Sequence, residues 1–254
     1  MALNIKEPDA KSPQTCCPIV ELRQYTLHPA KRHVLIDLFD REFIEPQEAL
    51  GMKIIGQFRD VDNRNRFVWL RGFRDMVSRA QALQDFYGGT VWKAHREAAN
   101  ATMIDSDNVL LLRPAHPISG FSREGRHRPA PGAKTIPNEL MMAAIYYFDA
   151  PVSAGFVDFF EQKIKPAVTD AGASVLACFI TENSENTFPA LPVREGENVF
   201  VWFARFNDQA AYELHVTVLA RSPRWRDEIA KELVGQLKRA PEVLKLSPTA
   251  RSLL

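Results

Sequence analysis

Strict alternation marks the first element. In residues 20–29 (VELRQYTLHP), Glu21, Arg23 and Tyr25 fall on one face and Val20, Leu22 and Thr26 on the other. That period of two predicts a half-buried strand, stopped by a proline suited to the first turn of a helix. Residues 30–50 switch to a helical period. Val34, Leu35, Leu38, Phe39 and Phe43 form one apolar stripe, with Lys31, Arg32, Asp37, Arg41 and Glu45 toward solvent. Pro46 and Gly51 mark its end. Strands are predicted over 52–59 and 66–73, joined by the polar turn 60–65. A helix over 74–86 breaks at Gly88-Gly89. Thr90 then caps a helix carrying Trp92 to about Thr102, and a strand over 108–113 closes the unit.

The pattern returns in the second half. A strand over 140–149 ends at Pro151. Phe156, Val157, Phe159, Phe160, Ile164 and Val168 stripe a helix that stops near Gly172, and 174–181 follows as a strand. Phe179 falls on Phe58, FVWFARF (200–206) on FVWLRGF (67–73), and Trp225 on Trp92. Residues 243–246 fall on 110–113, each group followed by proline (Pro248, Pro114). The offset stays between about 120 and 134 residues, as a duplication with loop drift gives. Aligned on Pro29 and Pro151, the copy has Ala143 and Ile145 where the first half has Glu21 and Arg23, and keeps Tyr147 for Tyr25. Arg71 falls on Ala204 and Arg79 on Tyr212.

Each unit reads β-α-β-β-α-α-β, a ferredoxin-like unit with an extra helix before its last strand. Its sheet carries helices on one face only, so the other face needs a partner, and the second copy can supply it. The expected fold is α+β: two tandem ferredoxin-like repeats packed sheet to sheet as an intramolecular α+β barrel. Residues 1–17 are expected as a flexible tail, 18–114 as the first domain, 139–248 as the second and 249–254 as a C-terminal tail. Between the domains, 115–138 is a mobile Pro/Gly-rich linker with the basic residues Arg123, Arg126, His127 and Arg128.

Composition narrows the function classes. A formal net charge of +1 gives no global case for nucleic acid or an anionic membrane. No apolar run spans a bilayer, and the first residues lack the pattern of a secretory signal. Three cysteines do not make a disulfide framework, so a cytoplasmic setting is expected, with Cys16 and Cys17 as reduced thiols in the tail. The six histidines form no metal-ligand spacing with one another or with cysteine. His95, on a helix, is the nearest to a haem ligand and reads as a surface residue. No metal and no cofactor is expected. There is no phosphate-binding Gly-rich loop and no nucleophile elbow.

Glu21-Leu22-Arg23-Gln24-Tyr25 with the following Pro29, Gly56-Gln57-Phe58, the strand around Trp69, Arg79 and the lone Trp92 together resemble the NIPSNAP family. That family is similar to the wider dimeric α+β barrel group. The resemblance covers roughly residues 18–114 and 139–248 and is stronger in the first. Ala30 departs from it, standing where the family has glycine after the proline. The resemblance implies the barrel fold and leaves the chemistry open, because one fold hosts many functions.

The site candidates come from the first strand. Arg23 offers a fork for a carboxylate, Tyr25 a proton donor, and Glu21 a base or an orienter of Arg23. These three are the catalytic candidates, opposed by a purely structural Arg–Glu pair. Arg71 and Trp69, on the neighbouring strand, are the substrate-binding candidates. Trp69 and Trp202 also fit as core packing, since both halves have one. Arg79 reads as a helix-surface residue that reaches a carboxylate or is simply solvated, the second being favoured. Two functions follow. One is a cofactor-independent enzyme of oxygenase, isomerase or lyase type acting on a small aromatic or anionic molecule. The other is a non-catalytic binding or assembly protein. In either case a homodimer of two-repeat chains is the expected protein partner.

Overall fold

Eight strands close into one antiparallel barrel in a computed structural model that describes residues 15–122 and 127–254. The first half supplies β1 (Ile19–Leu27), β2 (Lys53–Asp60), β3 (Arg66–Phe73) and β4 (Met103–Pro114). The second supplies β5 (Leu140–Phe148), β6 (Ser174–Thr181), β7 (Asn198–Phe206) and β8 (Glu242–Pro248). Round the barrel the order is β1-β3-β2-β8-β5-β7-β6-β4. Two seams join the halves. Phe58 to Asp60 of β2 pair with β8, and Leu112 to Pro114 of β4 pair with β6. Closure leaves no sheet edge open.

Alternation decides which side chains fill the barrel. Val20, Leu22, Val68 and Leu70 point inward to one apolar core with Met141, Ala143, Ile145, Tyr147, Val201 and Phe203. The opposite faces of the strands lie under helices. Phe67, Trp69 and Phe73 pack against the first half's helices, and Phe200, Trp202 and Phe206 against the second's.

The helix expected over 30–50 has two parts. These are α1 (Arg32–Leu38) and α2 (Ile44–Ala49), joined through a π-helical turn, Phe39–Phe43. The cause is visible in the spacing of buried positions: Leu35, Phe39, Phe43 and Gln47 recur every fourth residue. Such a row drifts by about 40° per turn on a regular α-helix. The wider π turn brings it back over the sheet. Val34, expected on the stripe, is 40% exposed as a result. The second half has the same build: α5 (Ala154–Phe159), a π turn at Phe160–Ile164 and α6 (Lys165–Asp170). There Phe156, Phe160, Ile164 and Val168 are the buried row. The remaining helices are α3 (Met76–Gly88), α4 (Thr90–Asn100), α7 (Gln209–Arg221) and α8 (Ala230–Val234). Asp75 and Ser78 cap α3 reciprocally, and Gly89 rather than Thr90 precedes α4.

Parts of the segments expected to be loose are docked, while most of residues 127–139 are exposed. Cys17 is buried, and a Cβ on Gly72 would lie 2.3 Å from its sulfur, so glycine at that point of β3 admits the N-terminal segment. Thr15 bridges Ser122, and Cys16 N–H donates to Phe121 O at 2.7 Å. Phe121 plugs the barrel core beside Phe179 and Phe203, each at 5.1 Å between ring centroids. Arg128 is not solvated: its guanidinium donates to the Arg251 and Ile54 carbonyls and pairs with Glu48. The C-terminal segment is likewise packed. Arg251 is 2% exposed and reaches Glu45, the Asp40 carbonyl and the Pro129 carbonyl. Arg123 and Arg126 lie outside the described residues.

The register of the second half differs from its alignment on the prolines. Trp69 pairs with Arg23, and Trp202 pairs with Ala144. Met142, Ala144 and Tyr146 therefore stand at the places of Glu21, Arg23 and Tyr25, while Ala143, Ile145 and Tyr147 face the barrel interior. A shift of one residue exchanges the two faces of a strand.

Candidate functional site

Period-two alternation on β1 aims Glu21, Arg23 and Tyr25 at the helix layer. β3 runs antiparallel beside it and sets Arg71 opposite Glu21, Trp69 opposite Arg23 and Phe67 opposite Tyr25. The structure thus brings all five expected residues together. It adds a sixth, correcting the expectation for Arg79, which is wholly buried and points from α3 to the strand.

Glu21 is the hub. Its Oε2 accepts from Arg23 Nη1 at 2.8 Å, from Arg71 Nη2 at 2.6 Å and from Arg71 Nε at 3.1 Å. Its Oε1 accepts from Arg79 Nε at 2.7 Å. Burial alone would raise this carboxyl, but the guanidiniums, Arg71 foremost, outweigh it and hold it well below the usual carboxylate range. A carboxylate held ionised with both oxygens occupied is a poor proton acceptor. Glu21 is placed to hold the three arginines in position.

The other ends of the arginines are also held. Arg71 Nη1 donates to Gln47 Oε1 at 2.9 Å, and Gln47 Nε2 donates to the Phe43 carbonyl at 2.9 Å. Arg79 Nη1 donates to Asn186 Oδ1 at 3.0 Å and Thr187 Oγ1 at 3.1 Å, while its Nη2 is buried without a hydrogen-bond partner. Arg23 Nε donates to Tyr25 Oη at 3.0 Å, which leaves the phenol hydrogen free to be donated elsewhere. Burial pushes the Tyr25 phenol up, against the pull of Arg23. Tyr25 is thus a donor at neutral pH. Trp69 lies beneath both fixed cations, its ring 5.5 Å from Arg23 and 5.0 Å from Arg71.

Asn186 and Thr187 belong to the second half, in the connection between β6 and β7. Thr187 Oγ1 also donates to the Met76 carbonyl, and Phe188 stacks on Tyr87 of α3 at 5.9 Å. That connection covers the first half's cluster. No sequence signal marked Asn186 or Gln47, because single amides in a loop and a helix carry no pattern. The second half has no such site: Met142, Ala144, Ala204 and Tyr212 stand in place of Glu21, Arg23, Arg71 and Arg79.

Comparisons with known proteins support the fold and place a family likeness in the first half. The chain overlaps a putative monooxygenase from Fusobacterium nucleatum subsp. nucleatum ATCC 25586 with a TM-score of 0.56 at 11% identity, over 92% of this chain and 93% of that one. A putative monooxygenase from Lactobacillus acidophilus NCFM overlaps with a TM-score of 0.51 at 16% identity, over 91% and 94%. An anthrone oxidase-like protein gives 0.52 at 14% identity, over 91% of each chain. At these identities the likeness is one of fold. No curated protein sequence matches the chain. The NIPSNAP family model matches residues 20–117, the stretch that holds Glu21, Arg23, Tyr25, Trp69, Arg71 and Arg79. Residues 20–117 are thus similar to the NIPSNAP family.

Proposed function

We propose that the chain is a cofactor-independent enzyme for a small anionic or aromatic molecule, bound at the arginine cluster of the first half. One observation supports this above the others: three guanidiniums meet a single carboxylate in a buried site. Among the described residues no second carboxylate touches them. Arginine does not shed its proton, and a buried charge without a partner is costly. An anionic ligand supplies the missing charge, and Arg79 Nη2 is a donor waiting for it.

The roles follow from the geometry. Arg23 and Arg79 hold the anion, Trp69 gives a wall for a flat body, Tyr25 donates a proton, and Glu21 and Gln47 fix the arginines. Such a set stabilises an enolate or phenolate. Isomerisation, lyase chemistry and cofactor-free oxygenation all pass through one. The halves are read as tandem ferredoxin-like repeats over 18–114 and 139–248, joined by 115–138. Only the first keeps the charged site, and a homodimer of such chains needs no strand exchange.

A second reading has its own support. Glu21, Arg23, Arg71 and Arg79 are each no more than 1% exposed and pack against one another through Glu21, as a sheet-pairing device in a non-catalytic protein would. Thermal unfolding with a panel of aromatic carboxylates separates the two. An enzyme of the proposed kind is stabilised by at least one of them. Arg23→Ala then loses about 2–5 kcal/mol of that interaction. A wild type that no small anion stabilises, beside an Arg23→Ala variant that is merely less stable, would establish the structural reading.

A further inference from the structure

Round the barrel from β1, past β4 at β6, three side chains of different chemistry converge. His116 lies just after β4, Glu161 in the π turn after α5, and Cys178 in β6. One ligand atom from each lies within 4.8 Å of the other two. We propose that they form a binding site for a zinc-class divalent cation.

Two of the three distances match the edges of a tetrahedral site, and the third, between His116 and Cys178, lies within 4.8 Å. His116 Nε2 and Glu161 Oε1 are 3.3 Å apart, and Cys178 Sγ and the same Oε1 are 3.7 Å apart. Bonds of 2.0–2.3 Å to zinc make tetrahedral edges of about 3.3–3.7 Å. A sulfur, an imidazole nitrogen and a carboxylate oxygen are the donors zinc takes, and three of them leave one corner for water. A cavity of about 170 Å³ lined by His116, Glu161, Lys165 and Cys178 gives that water room.

The site is also fixed in advance. Ser119 N–H and Oγ both donate to the His116 carbonyl, and Ser119 Oγ reaches the Cys178 carbonyl at 2.9 Å. Cys178 N–H donates to the Ser119 carbonyl at 2.8 Å. The turn carrying His116 is therefore fastened to the strand carrying Cys178. Lys165 Nζ pairs with Glu161 Oε2 at 2.6 Å, which leaves Oε1 aimed at the other two ligands. Coordination displaces the Cys178 thiol proton, so binding releases it. In sequence His116 and Glu161 are 45 residues apart, which hides the set from any spacing motif.

The test uses the full chain, stripped with a chelator. Zn²⁺ is titrated against a competing chromophoric chelator, and Co²⁺ is added while absorbance is recorded. One equivalent of Zn²⁺ is expected, with a thiolate-to-cobalt charge-transfer band. Cys178→Ser removes the band, and His116→Ala weakens Zn²⁺ binding by about tenfold or more. A Cys16→Ser/Cys17→Ser double variant binds as the wild type does. Absent stoichiometric binding, binding that survives Cys178→Ser, or binding lost in the double variant would each overturn the site. Should Cys178→Ser not fold, His116→Ala decides, since its imidazole sits on a part-exposed turn, and an unchanged affinity there refutes the assignment.

Discussion

Glu21 and Arg79 are 58 residues apart in sequence and 2.7 Å apart in space, both without solvent exposure. Their contact ties α3 to β1 and fills the second oxygen of the one carboxylate that the described residues bring to the cluster. Glu21→Gln therefore leaves three buried guanidiniums without an anion. The expected loss is about 3–5 kcal/mol of unfolding free energy at neutral pH, read by denaturant titration. The folded carboxyl is held below its unfolded value, so this advantage is complete above the ordinary glutamate range. It declines only as pH falls below that range. A loss under 1 kcal/mol would mean that another anion neutralises the cluster.

Asp40 gives the opposite sign. Burial lifts its carboxyl to about 6, against the pull of Arg251 and the hydrogen bond from Gln57. A folded value above the unfolded one favours the fold at low pH, and that favour is lost as pH rises from about 4 through about 6. Asp40→Asn keeps an acceptor for Gln57 and removes the ionised form. It should stabilise by about 1 kcal/mol at pH 8, after allowance for solvent screening, and by nothing at pH 4. Equal melting shifts at both pH values would refute this.

Ala30 has φ of 61°, the left-handed region that favours glycine. Placing an L-residue there costs about 1–2 kcal/mol, part of which glycine returns as unfolded-chain entropy. Ala30→Gly should raise stability by about 0.5–1 kcal/mol in chemical denaturation. A decrease would show that the Ala30 methyl group makes a contact worth more than the strain.

Residues 18–114 expressed alone would expose the inner face of the first sheet and the free edges of β2 and β4. Burial of that face at about 25 cal/mol per Å² is the driving force for pairing. The fragment should be a dimer or insoluble by light scattering. A stable, monodisperse monomer would contradict the packing described here.

Much of this was legible in the sequence, and the parts that were not share a cause. Alternation in 20–29 set the faces of β1 directly, and the landmarks around Trp69 set its neighbour. The offset on Pro29 and Pro151 gave the copy's register one residue wrong, because a proline marks the end of a strand without fixing which face its residues take. Arg79 looked like a solvated helix residue because helical period alone does not say what a long side chain reaches. Arg128 and Arg251 looked like parts of loose segments because their partners are mostly backbone carbonyls, which leave no mark in sequence. The same holds for His116, Glu161 and Cys178, gathered by barrel closure rather than by any local element.

The β2–β8 seam has a consequence for synthesis. Arg59 and Pro248, in contact across it, are 189 residues apart. At about 5–20 residues per second, a ribosome makes the second roughly 10–40 s after the first. Through that interval the nascent chain carries β2 with its outer hydrogen-bonding groups unanswered, a template for any passing strand. The growing polypeptide must be shielded or dilute until its own last strand emerges to occupy the place.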